Sequence, residues 1–136
     1  AQLANPHKQV VNIAGDGSFL MNANELSTAA RYNIPLIELI LNNGVLGMVR
    51  QWQKVFYERR FSATDPHRKT DLVKLAEAFG CRGMRIARAG DIRPVLEAAL
   101  AAGGPVVVDC RISPDANVLP MIPPGGTVDD IIEEMN

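Results

Sequence analysis

The sequence predicts an α/β fold: an open parallel sheet flanked by helices, in one domain. Three observations carry this. Short apolar runs alternate with stretches of helical periodicity, giving the order βαβαβαβ. The run Val106-Val107-Val108 is apolar on both faces, as in a parallel strand covered from both sides. The first two runs also stop at loop-forming residues, Gly15-Asp16-Gly17 and Asn42-Asn43-Gly44.

Val10, Val11, Ile13 and Ala14 form the first predicted strand, a buried one ending in a tight Gly-Asp-Gly loop. The following helix is expected to be capped by Asn22, with Glu25 at its third position, and to end at Asn33 and Pro35. Leu36 to Leu41 is the second strand, and Val45 to Phe56 a helix weakened by Gly47. Tyr57 to Lys69, charged and holding Asp65-Pro66, reads as a long surface excursion. Thr70 is expected to cap a helix whose Leu72, Leu75, Ala76 and Phe79 share a face, closed by Gly80. Gly83 to Ile86 is a short strand. Asp91 caps the last helix, with Ile92, Val95, Leu96, Ala99 and Leu100 on one face, and Pro105 to Ile112 is the last strand. Residues 1–112 thus form the domain. Residues 113–136 form a tail, rich in Pro and Gly and then acidic, laid over the domain or partly disordered.

Composition narrows the function. With 136 residues, 47% hydrophobic and 21% charged, the chain suits one globular domain with a real core. Fourteen basic against fifteen acidic residues leave a net charge of −1, without the basic footprint of a nucleic-acid binder. The apolar run at Ile34 to Leu41 is far short of the roughly 20 residues of a membrane span. Ala1 to Pro6 lacks a signal-peptide layout and reads as a cut inside a longer protein, expected in the cytoplasm. Cys81 and Cys110 are isolated and read as buried free thiols, while His7 and His67, each beside Pro, read as loop positions.

Chemistry concentrates at two strand ends, where open α/β sheets bind ligands. Gly15-Asp16-Gly17-Ser18 offers close backbone approach and amides suited to an anion, although alone it reads as an ordinary turn. Asn43 follows 27 positions after Asp16, at the end of the neighbouring predicted strand. A carboxylate, an amide oxygen and a loop carbonyl are hard oxygen donors, and Mg²⁺ takes few protein ligands when phosphates and water complete its shell. The two loops therefore describe a metal-diphosphate site.

GDGS followed at this distance by Asn-Asn resembles the diphosphate-binding motif of thiamine-diphosphate enzymes. Asn12 to Phe19, Asn42 to Gln53, Phe56-Tyr57 and the tail Val118 to Gly126 resemble the acetolactate synthase large, catalytic subunit in particular. The resemblance covers nearly the whole chain. It implies the C-terminal thiamine-diphosphate-binding domain, its diphosphate-side half, with residues 113–136 as a cover for the active site. It implies that Asp16, Asn43 and the backbone carbonyl of Val45 bind Mg²⁺, that Gly15, Gly17 and Ser18 contact the diphosphate, that Met48 lies near the cofactor and that Trp52 lies at the substrate entrance. Without the resemblance, Met48 and Trp52, at i and i+4 on a helix, would read as core and Gln51 to Arg60 as a solvated helix face; the resemblance implies that Gln51 to Arg60 is an active-site rim instead.

The implied reaction decarboxylates pyruvate and joins the two-carbon unit to a second 2-keto acid, in branched-chain amino-acid biosynthesis. The family's activating glutamate belongs to an N-terminal pyrimidine-binding domain, so no catalytic acid or base is assigned here, and the 136 residues alone are expected to be inactive. FAD belongs to the full-length family and is not expected to bind this chain alone. Implied partners are a second subunit, through the pyrimidine-binding domain, and a regulatory subunit, with self-association expected through Val45 to Phe56 or the tail. Two alternatives stand beside this: another thiamine-diphosphate decarboxylase or carboligase such as glyoxylate carboligase, and a non-catalytic phosphate-binding α/β module, although GxGxxG is missing after the first strand.

Overall fold

The computed structural model describes residues 1–67 and 69–134. Arg68, in the predicted excursion, and Met135 and Asn136, in the predicted tail, lie outside the described residues. Four strands, β1 (Val10–Gly15), β2 (Leu36–Asn42), β3 (Arg82–Ile86) and β4 (Val106–Arg111), form one sheet in the order β1-β2-β4-β3. Every pairing is parallel. The connections run through α1 (Asp16–Met21) and α2 (Leu26–Arg31), then α3 (Gly47–Phe56) and α4 (Leu72–Ala78), then α5 (Ile92–Leu100).

Alternation along the strands divides the core in two. On one face Ile40 and Val107 pack with Phe19, Leu26, Leu72 and Ala76 from α1, α2 and α4. On the other, Ile37, Val106, Val108 and Ile86 pack with Val95, Leu96 and Ala99, chiefly from α5. Ile40 and Val107 are fully buried, so Ile40→Ala should cost about 2–5 kcal/mol, the cost of deleting buried methylenes and leaving a cavity. Urea unfolding checks this; a loss below about 1 kcal/mol would mean that the site collapses on itself.

The sequence placed β1 among buried strands, whereas it is the sheet's edge, with Val11, Asn12 and Ile13 exposed. Val11 and Ile13 align with Ile37 and Leu39, but α5 packs over β3 and β4 at the far side of the sheet. Three predicted caps also change hands. Asn22 makes no side-chain cap, and a 3-10 turn, Ala23–Glu25, leads into α2 instead. Asp71, not Thr70, caps α4 by accepting from the Val73 and Lys74 amides. Asp91 precedes α5 but turns its carboxylate back to the Ala87 and Arg88 amides. The tail is tied down: Met121 and Ile132 form an antiparallel bridge, and a 3-10 turn spans Val128–Asp130.

Candidate functional site

The Gly-Asp-Gly segment is not a loop. β1 runs through Gly15, and α1 begins at Asp16 with Gly15 as its extended N-cap. This swings the Asp16 carboxylate from the strand direction into the first helical turn, where the residue is buried. Ser18 donates its hydroxyl to the Gly15 carbonyl at 3.0 Å, bracing the turn.

Gly15 pairs with Leu41, so the end of β2 brings Asn42 and Asn43 alongside. The two asparagines do different things. Asn42 is buried, its amide nitrogen donating to Asp109 Oδ1 at 2.8 Å while its oxygen accepts from the Gly44 amide at 3.1 Å. Asn43 stands clear of that core, and its Oδ1 accepts from the Val45 amide at 3.1 Å. Gly44 takes a φ of +73°, a left-handed conformation that a side chain would strain.

These groups meet around one open cavity of about 620 Å³. Gly15, Asp16, Gly17 and Ser18 line it from one strand end, and Asn43, Val45 and Met48 from the other. Ala116, Asn117 and Val118 of the tail also border it. Among the described residues no group of three or more His, Cys, Asp and Glu side chains converges to hold a metal. A cation in this cavity would therefore rely on one carboxylate, the Asn43 amide oxygen, backbone carbonyls and oxygens from a bound ligand. That donor set suits Mg²⁺ with a diphosphate and suits zinc poorly.

Comparison with known proteins decides the family. Residues 1–110 match the family described as thiamine pyrophosphate enzyme, C-terminal TPP binding domain. The chain belongs to this family. It is 40% identical over its full length to the acetolactate synthase isozyme 2 large subunit of Escherichia coli strain K12, and spans 25% of that protein. It is 46% identical to the acetolactate synthase of Mycobacterium bovis, with 96% of the chain and 22% of that protein aligned. A solved structure, the Rhodococcus jostii RHA1 thiamine diphosphate-dependent 4-hydroxybenzoylformate decarboxylase, superposes with a TM-score of 0.77 at 38% identity, over 83% of this chain and 21% of that one. The chain thus spans a quarter or less of the relatives it matches.

Beneath the loops of this TPP-binding domain lies a polar network that sequence reading missed. Asp109, 0% exposed within β4, accepts from Asn42 and from Arg85 Nε at 3.1 Å, and forms an ion pair with an Arg111 guanidinium nitrogen at 3.1 Å. Arg85 also reaches Asp71 at 2.7 Å, so the α4 cap, β3, β4 and the asparagine loop are joined. The available signal was a charged residue directly following Val106-Val107-Val108.

Met48 and Trp52 are not core: they are 58% and 39% exposed. Met48 faces both the first cavity and a second, of about 640 Å³, that is shared with Val49, Trp52, Gln53, Tyr57 and Arg60. Trp52 lines this second space and meets Phe56 edge-on with ring centroids 6.0 Å apart. Gln51, part of a solvated face if composition alone is read, is buried. Its amide oxygen accepts from the Val118 N–H at 2.8 Å and its nitrogen donates to the Val118 carbonyl at 3.0 Å, holding the tail beside the cavity as a neighbouring strand would.

Neither cysteine is a nucleophile in waiting. Burial pushes both thiols above their ordinary pKa, and the Asp109 charge adds to this at Cys110. His7 and His67 are exposed. Acid sensitivity should come from the caps. The Lys74 amide first, then Arg85 and the Val73 amide, hold the Asp71 carboxyl below its ordinary value against an opposing effect of burial. Because its folded pKa is the lower one, the stability it contributes is present above the unfolded value near about 3.9 and is lost as pH falls through the folded value. Acid unfolding followed by circular dichroism should therefore lose part of its steepness below about pH 4 in Asp71→Asn. An unchanged profile would mean that other carboxylates govern the acid limb.

Proposed function

We propose that this chain anchors thiamine diphosphate through Mg²⁺ as the C-terminal domain of an acetolactate synthase catalytic subunit. The observation that carries the reading is the meeting, around one cavity, of Asp16 and the GDGS backbone with Asn43 and Val45. Asp16, the Asn43 amide oxygen and the Val45 carbonyl would hold the metal. Gly15, Gly17 and Ser18 would meet the diphosphate, and Met48 would lie against the remainder of the cofactor. The cofactor, when bound, supplies the electron sink for decarboxylating a 2-keto acid and passing on its two-carbon unit.

The chain's own residues bind, orient and shield. Gln51 holds Val118 so that the tail borders the cavity, which supports residues 113–136 as a cover that limits water there. Trp52 and its apolar neighbours provide a path for the substrates, pyruvate and a second 2-keto acid. No acid or base of this chain is assigned to proton transfer, which falls to the remainder of the longer polypeptide and to a partner subunit. FAD, where the full protein uses it, would bind outside these residues, and a regulatory subunit would attach to the full assembly. The whole protein would work in the cytoplasm; no helix among the described residues is long and apolar enough to cross a membrane.

Naming of relatives favours acetolactate synthase over other enzymes of the family, since relatives at 40–46% identity carry that name. Calorimetric titration of the 136-residue protein with thiamine diphosphate tests the anchor. Saturable binding in Mg²⁺, abolished by a chelator and not reproduced by adenine nucleotides, is expected. Binding indifferent to Mg²⁺, or equal binding of ADP, would overturn the metal-diphosphate assignment.

A further inference from the structure

Gly47 opens α3, where glycine is a poor helix former. Its backbone does not demand glycine: the left-handed φ in this loop belongs to Gly44. The demand is steric. A Cβ built on Gly47 would sit 2.6 Å from Asn43 Nδ2, closer than nonbonded atoms approach. The opposite end of that same amide is committed, since Oδ1 accepts from the Val45 N–H. This bond also settles which amide atom is oxygen and which nitrogen.

We propose that Gly47 is a positioning residue: by leaving its Cβ space empty it lets the Asn43 amide lie with its oxygen on the Val45 amide and facing the cavity. A carbonyl-type oxygen has two lone pairs, so Oδ1 can keep Val45 and still ligate a cation. A methyl group at position 47 would push Nδ2 away, and because the amide is planar and rigid, Oδ1 would swing with it. The bond to Val45 and the ligating direction would be lost together. The importance of this for cofactor rests on the metal-diphosphate reading above; the steric coupling of Gly47 to Asn43 does not.

Four proteins test the proposal: wild type, Gly47→Ala, Asn43→Ala and the double variant. Alanine favours the helix, which offsets part of the cost of freeing the Val45 amide, so Gly47→Ala should remain folded and melt cooperatively without ligand. Its Val45 amide should exchange faster with solvent and shift in the NMR spectrum. Its Mg²⁺-dependent affinity for thiamine diphosphate should fall about 10- to 100-fold, as when a group supporting a metal ligand is altered. In the Asn43→Ala background the same glycine change should have no further effect on affinity, which a general effect on α3 would not reproduce. A wild-type Val45 amide in Gly47→Ala, or an equal affinity loss in both backgrounds, would overturn the proposal. If wild type does not bind, or Asn43→Ala binds as wild type does, the metal-diphosphate reading fails, and the Val45 amide alone still decides whether Gly47 orients Asn43.

Discussion

Asp109→Ala should lose about 3–5 kcal/mol of stability, the cost of removing one partner from a buried ion pair. Asp109 has no exposed surface; its oxygens accept from the Asn42 amide and the Arg85 guanidinium and form an ion pair with Arg111. Taking it away leaves these three partners in unequal positions. The side chains of Arg85 and Arg111 are 37% and 45% exposed, so each can turn toward water and recover part of its hydration. Asn42 is buried and cannot. An unsatisfied buried amide costs about 1–3 kcal/mol by itself. Asp109→Asn should fall between, because its amide oxygen can still accept from Asn42 while its charge is lost. Urea unfolding at neutral pH, read from the midpoint at constant slope, measures both. A loss below about 1 kcal/mol in Asp109→Ala would show the network behaving like an exposed salt bridge.

The same network explains which parts of the molecule were legible in the sequence. Strand and helix types followed from local patterns: Val106 to Val108 cannot be solvated on either side, and Leu72, Leu75, Ala76 and Phe79 recur at a helical period. The paired motifs were legible because parallel neighbours bring their strand ends together, as Gly15 and Leu41 do. What pattern alone could not reveal depends on contacts between residues distant in sequence. Asn42 and Asn43 look equivalent in the chain, yet only the long-range partner Asp109 makes the first a buried support. Gln51 looks like a surface residue until Val118, 67 positions on, fills both ends of its amide. Capping was misread where two residues could serve, as Thr70 and Asp71 could, and Arg85 on a distant strand favours the carboxylate. The exposure of β1 has a similar origin, since burial of a strand depends on what lies beside it, and α5 lies on the far side of the sheet.

Asp16→Asn should weaken Mg²⁺-dependent binding of thiamine diphosphate by more than about 100-fold, beyond the 10- to 100-fold typical of changes to groups that only support a ligand. The substitution preserves shape and changes charge. Among the described residues Asp16 is the sole carboxylate lining the cavity, so its loss removes the formal negative charge that they offer a dication there. Mg²⁺ gives up water reluctantly and discriminates strongly in favour of charged oxygen, so an amide oxygen is a poor replacement. The defect should show as a raised Mg²⁺ requirement, partly relieved by excess metal, because the proposed diphosphate contacts from Gly15, Gly17 and Ser18 are untouched. Loss of affinity should decrease in the order Asp16→Asn, Asn43→Ala, Gly47→Ala: a charged ligand, a neutral ligand, and a residue acting through that ligand. Titrating each variant with thiamine diphosphate at several Mg²⁺ concentrations, beside its melting temperature without ligand, separates site chemistry from folding. Wild-type affinity in Asp16→Asn at low Mg²⁺ would remove Asp16 from the metal site. An affinity loss that excess Mg²⁺ does not relieve would instead point to a damaged diphosphate cradle around α1.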